Sequence, residues 1–156
     1  HAEKFDPVLW PEDEPDWNDG NKRYSETVQR EMARIERNDA IALVFPVWWW
    51  SMPAMLKGYL DRMMIPGVAF DLSDPANVKP MLGNIKKIAG ISTYGRPRWT
   101  AFYVGDPPRK AVTRYLPRLC HKSARAQYYA LYHMNVATES QRKAFMTKVR
   151  AAMTAL

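Results

Sequence analysis

The sequence has 156 residues, of which 47% are hydrophobic, and a formal net charge of +7. This apolar content predicts a folded domain rather than a disordered segment, and no apolar run reaches the roughly 20 residues of a membrane span. A single cysteine, Cys120, excludes an internal disulfide, so we predict a core thiol on a helix and a cytoplasmic location.

The charge is unevenly distributed along the chain. Residues 1–20 carry a net charge of −6, whereas the segment 96–125 holds eight Lys or Arg residues against only Asp106. Such a basic segment suits a solvated face, a phosphate-bearing cofactor or nucleic acid. No helix-turn-helix, zinc-ligand spacing or RNA-binding signature accompanies it, so we predict no nucleic-acid partner. Steeply salt-dependent binding to nucleic acid would identify the weaker alternative.

The first half of the chain predicts one strand between two helices. Residues 1–20 are rich in Pro, Asp and Trp and are expected to form an extended arm or loop. Apolar residues at three- and four-residue steps predict a helix over 21–37. The apolar run "AIALVF" (40–45) predicts a strand covered on both faces. A helix is expected from Pro53 to about residue 64, with Ser51 as a possible cap, followed by an extended segment at 67–71 and a loop at 72–84.

The second half predicts two more strands. "KKIAGIS" (86–92) and "RAQYYALY" (125–132) are apolar strand candidates. Between them, a helix over 106–122 is expected to start at Asp106 as N-cap and to kink or end at Pro117. Thr138 is predicted to cap a last helix over 139–154. Alternation of strands and helices indicates a single α/β domain, 1–156, around a parallel sheet.

Two loops follow strands in a way that suggests a ligand site. Trp48, Trp49 and Trp50 follow the strand 40–45, and Thr93-Tyr94-Gly95 follows the strand 86–92. In an open α/β sheet, ligands bind beyond the C-terminal ends of the strands. Flat rings opposite hydroxyl and backbone N–H groups suit a planar aromatic ligand. The alternative is that the three indoles fill the core or a subunit interface.

The residues around the three tryptophans resemble a motif of a known protein family. "FPVWWWSMPAMLKGYLDR" (45–62) resembles the strand-loop-helix of the flavodoxin-like NAD(P)H:quinone oxidoreductases, and "GVAFD" (67–71) and "STYG" (92–95) are similar to two further family segments. The matching positions in the first motif are Phe45, Pro46, Val47, Trp49, Trp50, Pro53, Ala54, Leu56, Lys57, Gly58, Asp61 and Arg62. The first motif is specific, whereas "STYG" alone would be weak.

This resemblance implies a flavodoxin-like three-layer sandwich that binds FAD or FMN, takes hydride from NAD(P)H and passes it to a quinone-like acceptor. It also implies a homodimer, with Phe70 near the nicotinamide or quinone across the interface and Trp49 on the substrate side. Tyr94 is the implied catalytic hydrogen-bond donor. The implied flavin-binding residues are Pro46, Val47, Trp48, Trp49, Trp50, Ser92, Thr93, Tyr94 and Gly95.

The chain departs from the family at its beginning. Members start with a strand, a phosphate-binding loop and a helix, and this N-terminal β-α-β portion is expected to be absent from the chain. A sheet of only three strong strands agrees with that expectation. Helix N-termini are natural phosphate sites, so a non-catalytic or regulatory subunit that has lost flavin binding is the alternative function. The sequence does not choose between FAD and FMN, or between NADH and NADPH.

Other polar residues carry less specific signals. Arg96 and Arg98 are candidates for contact with a cofactor phosphate. His121 and His133 lack metal-ligand spacing to other His, Cys or Asp residues, so we predict no metal site. Asp106 is interpreted as a helix cap rather than a catalytic acid.

Overall fold

A computed structural model describes residues 4–16 and 22–154. These residues form five helical regions and five strands. The helices are α1 (Glu26–Glu36), α2 (Ala54–Met63), α3 (Arg98–Tyr103), α4 (Pro107–Lys110, continued by a π-helical turn over Ala111–Tyr115 and a 3-10 turn over Leu116–Leu119) and α5 (Glu139–Thr154). The strands are β1 (Ala40–Pro46), β2 (Phe70–Asp71), β3 (Lys79–Pro80), β4 (Lys87–Thr93) and β5 (Arg125–Leu131), and a short 3-10 turn covers Met134–Val136.

Three strands form the central parallel sheet in the order β1-β4-β5. Ala40 pairs with Lys87 and Pro46 with Thr93, and β5 continues the same register from Arg125 to Leu131. The three predicted strands are therefore confirmed. Because all three run in the same direction, the loops that follow them emerge at one edge of the sheet.

The core forms where the sheet meets its helices. Ile88 and Ala89 at the centre of β4 are fully buried, as are Val28 of α1 and Val112 of the π-helical turn. That turn packs on β4 and β5, whereas α1 and α2 contact each other. Continuous apolar strand sequences are what a sheet enclosed by helices requires. In the described parts of the chain, no helix has the length and apolar character needed to cross a membrane.

Several predicted boundaries differ from the structure. Helix α1 begins at Glu26, because the Ser25 hydroxyl accepts a hydrogen bond from the Val28 N–H and caps it; Asn21 lies outside the described residues. Ser51 does not cap α2, since its backbone pairs with Trp48 instead. Part of the predicted loop 72–84 pairs as β3 with β2.

The segment 98–122 differs most from its prediction. Helix α3 was not predicted, and the expected helix 106–122 changes from α to π to 3-10 geometry and ends at Leu119. Pro117 lies in the final 3-10 turn, in agreement with its predicted role. Cys120 therefore follows the helix rather than lying on it. The thiol is buried, and burial raises its pKa to about 11.

The N-terminal arm is fixed to α2 by a buried ion pair. The Asp13 carboxylate accepts a 2.6 Å hydrogen bond from Arg62, and it also accepts from the Ser25 N–H and hydroxyl at 2.7 Å. Arg62 donates a second hydrogen bond to the Asp6 carbonyl. The described arm residues 4–16 lack helix or strand, as predicted, but these contacts hold the arm against the domain.

Candidate functional site

The tryptophan loop is a tight turn with an unusual backbone. Trp48 and Ser51 exchange two backbone hydrogen bonds, of 3.0 and 2.9 Å. The two residues between them, Trp49 and Trp50, have φ angles of +47° and +60°. Bulky side chains rarely adopt this left-handed region, which costs roughly 1–2 kcal/mol per residue. The turn also leaves the Trp49 ring 95% exposed.

Strand pairing brings a second loop close to this turn. The Val47 N–H donates to the Thr93 carbonyl at 2.8 Å, so the β1–β4 pairing continues into the tryptophan loop. Both loops border one cleft of about 400 Å³. Its lining residues are Val47, Trp49, Trp50, Tyr94, Gly95 and Arg96. The predicted meeting of the two loops is therefore observed.

The cleft is bordered by backbone donors as well as rings. Within the described residues, the backbone N–H groups of Trp49, Trp50, Gly95 and Arg96 donate to no other group of the chain. Such donors can satisfy the polar edge of a planar ligand while the indole packs on its face. The Arg96 side chain adds a positive charge. These features fit an isoalloxazine ring, which has one polar, acceptor-rich edge and apolar faces.

The other predicted site residues do not border the cleft. Pro46 ends β1, and Trp48 is 63% exposed outside the cleft lining. Ser92 is buried, and its hydroxyl donates to the Tyr128 hydroxyl at 2.8 Å. Thr93 contributes its backbone carbonyl to Val47.

Phe70 is also away from the cleft lining. It lies in β2 and packs against the hydrophobic core.

Tyr94 lines the cleft, and its hydroxyl makes hydrogen bonds within the chain. The side chain is only 2% exposed, and its hydroxyl donates to the Asp106 carboxylate and contacts the Tyr128 hydroxyl at 2.9 Å. Burial, followed by the hydrogen bond to Asp106, raises the pKa of Tyr94 well above its ordinary value. The hydroxyl is thus engaged with two side chains of its own chain.

Asp106 acts as this partner instead of as a side-chain cap. It precedes α4 with a φ of +45°, and its carboxylate makes no capping hydrogen bond. One carboxylate oxygen accepts from Tyr94, and the other lies 3.5 Å from the Tyr132 hydroxyl. The prediction of a helix cap is wrong for the side chain, because a residue twelve positions away supplies a better donor.

A second cavity, of about 420 Å³, is lined in part by Asp106. It is strongly basic, and we call it the basic cavity. Its lining residues are Arg98, Phe102, Gly105, Asp106, Arg109, Lys110, Thr113, Arg114 and Tyr132. Sequence reasoning proposed Arg98 as a phosphate contact but did not single out Arg109, Lys110 or Arg114. The charge excess over 96–125 was the signal that pointed to them.

Comparisons with known proteins identify a family model and relatives that share part of the chain. A family model described as a flavodoxin-like fold matches residues 1–154. An uncharacterized NAD(P)H oxidoreductase of Escherichia coli is 35% identical over 127 residues, which are 77% of this chain and 57% of that protein. An uncharacterized NAD(P)H oxidoreductase of Haemophilus influenzae is 39% identical over 74 residues, which are 47% of this chain and 36% of that protein.

Solved structures show the same fold. Smu.1420 from Streptococcus mutans superposes with a TM-score of 0.81 at 21% identity, over 99% of this chain and 79% of that one. An NAD(P)H:quinone oxidoreductase from Methanothermobacter marburgensis gives a TM-score of 0.76 at 22% identity, over 97% of this chain and 74% of that one.

Proposed function

The chain belongs to the family with the flavodoxin-like fold, and on this premise we propose that it functions in a flavin-dependent NAD(P)H oxidoreductase with a quinone-like acceptor. The chain spans little more than half the length of the Escherichia coli relative, which is named an NAD(P)H oxidoreductase. The predicted family and α/β fold class are confirmed. The activity, the flavin and the acceptor are our proposal.

One observation carries the proposal, and it is the combination of groups around the cleft. Trp49 presents an almost fully exposed ring, and four backbone N–H groups there have no partner in the described chain. An exposed indole ring can pack on the face of a planar ligand, and backbone N–H groups without a protein partner can donate to its polar edge. A flavin, either FMN or FAD, would be held by Trp49 and Trp50 on its face and by the N–H groups of Gly95 and Arg96 on its polar edge.

When bound, a flavin supplies two-electron hydride chemistry, and the protein supplies binding, orientation and electrostatics. The balanced reaction converts NAD(P)H, a proton and a quinone into NAD(P)⁺ and a hydroquinone. The role of Arg96 would be to stabilise negative charge that develops in the cleft. Tyr94 is held by its hydrogen bond to Asp106, and it would thereby fix the position of the Gly95–Arg96 turn relative to Trp49 and Trp50.

The predicted homodimer remains part of the proposal. Phe70 packs on its own core and does not border its own cleft. A substrate role for Phe70 therefore requires a second copy of the chain. The mass in solution, measured by light scattering, would distinguish a monomer from the predicted homodimer. The cytoplasm remains the predicted compartment because of the single cysteine.

Riboflavin tests the ring site directly, because it lacks the phosphate that would need a separate anion site. We expect calorimetry to detect riboflavin binding, and Trp49→Ala to weaken it at least about tenfold. Trp99→Ala is the matched control, since Trp99 is an exposed indole outside the cleft.

Activity provides the second part of the test. With FMN or FAD supplied, the protein should oxidise NAD(P)H faster when a quinone such as menadione is added. If FMN, FAD and riboflavin all fail to bind, the enzyme proposal is wrong, and a regulatory subunit without cofactor becomes the better interpretation.

A further inference from the structure

We propose that the basic cavity binds the phosphorylated adenosine end of the reductant, so that NADPH is preferred to NADH. This inference rests on the proposed function and specifies the substrate of the same site. Four cationic side chains line the cavity: Arg98, Arg109, Lys110 and Arg114. Among the described residues, none of them lies within the 4.0 Å ion-pair distance of a carboxylate.

The four cations are concentrated around one concave surface. Cations placed together repel one another, and this repulsion is relieved when an anion binds between them. Arginine side chains in addition match the geometry of phosphate oxygens with two parallel donors. One of them, Arg109, is also positioned by the Tyr128 ring, whose centroid lies 5.7 Å from the guanidinium carbon.

The single carboxylate of the cavity is already engaged. Asp106 accepts from the Tyr94 hydroxyl and faces the Tyr132 hydroxyl. In dinucleotide sites, a free carboxylate commonly binds the ribose hydroxyls of NAD, whereas arginine accommodates the 2′-phosphate of NADP. The basic cavity offers arginine and no free carboxylate, which favours the phosphorylated nucleotide.

The size and lining of the cavity suit an adenosine phosphate. A volume of about 420 Å³ falls in the range of small-ligand sites. Phe102 borders it and is 84% exposed, so its ring is available to stack on a planar base. A small inorganic anion alone would leave this ring uncovered.

The cavity also adjoins the cleft proposed for the flavin. Tyr94 lines the cleft, Asp106 lines the basic cavity, and the two residues are joined by a hydrogen bond. A nucleotide whose adenosine end occupies the basic cavity is therefore held beside the cleft in which its nicotinamide would react.

Direct binding tests this inference without any redox chemistry. Adenosine 2′,5′-bisphosphate and adenosine 5′-monophosphate are titrated into the protein by calorimetry. We expect the bisphosphate to bind more tightly, and Lys110→Gln combined with Arg114→Gln to weaken it at least about tenfold. Arg125→Gln is the matched control, because this exposed arginine lies at the opposite end of the sheet. The double variant should also raise KM for NADPH but not for NADH.

Three results would overturn the inference. These are equal affinity for the two nucleotides, an equal loss in Arg125→Gln, or a double variant that weakens FMN relative to riboflavin but leaves the bisphosphate unchanged. The last result would assign the cavity to the flavin phosphate. Selective bisphosphate binding in a protein that fails to bind riboflavin would support the nucleotide site and contradict the proposed enzyme.

Discussion

Trp49 and Trp50 adopt a backbone conformation that glycine would adopt more easily. Both have positive φ, and the Trp49 side chain gains almost no burial in return. Strained residues persist where the surrounding structure over-determines them, and they are frequent at ligand sites. The hydrogen bonds between Trp48 and Ser51 provide this constraint. At the residue scale, the turn therefore sacrifices stability and gains an exposed ring.

Replacing Trp49 with glycine separates these two effects. Trp49→Gly relieves the left-handed strain, and we expect the free energy of unfolding to stay unchanged or to rise by up to about 1 kcal/mol. Riboflavin affinity should fall, because the exposed ring is lost. Urea unfolding and calorimetry measure the two quantities. A variant that unfolds more easily would show that the indole stabilises the fold and would contradict the strain argument.

Residues that directly follow a predicted strand could be located from the sequence. Contacts between residues that are distant in the sequence could not. The tryptophans and the 92–95 turn could be located because each directly follows an apolar strand. The contact between Tyr94 and Asp106 was not predicted, since their hydrogen bond joins positions twelve apart. Nothing in the local sequence of either residue indicates that pairing.

At the scale of elements, α2 depends on a close approach by the N-terminal arm. A Cβ atom added at Gly58 would lie 2.1 Å from the Pro7 carbonyl oxygen. Pro7 lies between Asp6 and Asp13, the two arm residues that accept hydrogen bonds from Arg62 of the helix. Glycine at position 58 thus lets the arm lie directly on the helix backbone.

Gly58→Ala should therefore displace the arm. We expect a loss of about 1–3 kcal/mol in unfolding free energy, even though alanine is the better helix former. Gly83→Ala is the control, because a Cβ at that position meets no atom within 4 Å. Urea unfolding measures the free energy of unfolding of both variants and of the parent. A Gly58→Ala protein more stable than the parent would show that the arm does not pack as described.

The elements that were predicted correctly have long, uniform patterns. The three sheet strands are apolar runs, and α5 has both a cap and a periodic face: the Gln141 N–H donates to the Thr138 hydroxyl at 3.3 Å. Helix α3 was missed because only Ala101 of its residues is buried, while Trp99 and Phe102 are exposed. Without an apolar face directed to the core, the segment has no helical pattern to read.

At the scale of the whole molecule, one buried ion pair joins the arm to the domain. Arg62 and Asp13 are 3% and 0% exposed. Burial alone would raise the pKa of Asp13, but the hydrogen bonds from Ser25 and Arg62 outweigh burial and lower it. A lowered folded-state pKa means that the pair contributes stability above the ordinary value of 3.8 and loses it as the pH falls through the folded-state pKa.

Asp13→Asn tests this dependence. At pH 7 we expect a loss of about 3–5 kcal/mol, because Arg62 stays buried without its charge partner. The difference from the parent should shrink as the pH falls below 3.8, where Asp13 of the unfolded chain is protonated, and it should vanish as the pH passes the lowered folded-state pKa. Asp61→Asn, which removes only the exposed pair with Lys57, should cost about 1 kcal/mol or less. The measurement is the urea unfolding midpoint of the parent and both variants across the pH range. A stability difference between the parent and Asp13→Asn that does not change with pH would contradict the lowered pKa of Asp13.

The exposed Trp49 ring has an optical consequence. An indole in contact with water fluoresces at longer wavelength than a buried one, so part of the protein's intrinsic emission should originate from the rim of the cleft. A yellow dye stacked on that ring would quench this emission. The protein thus carries its own spectroscopic label at the position where occupancy matters most.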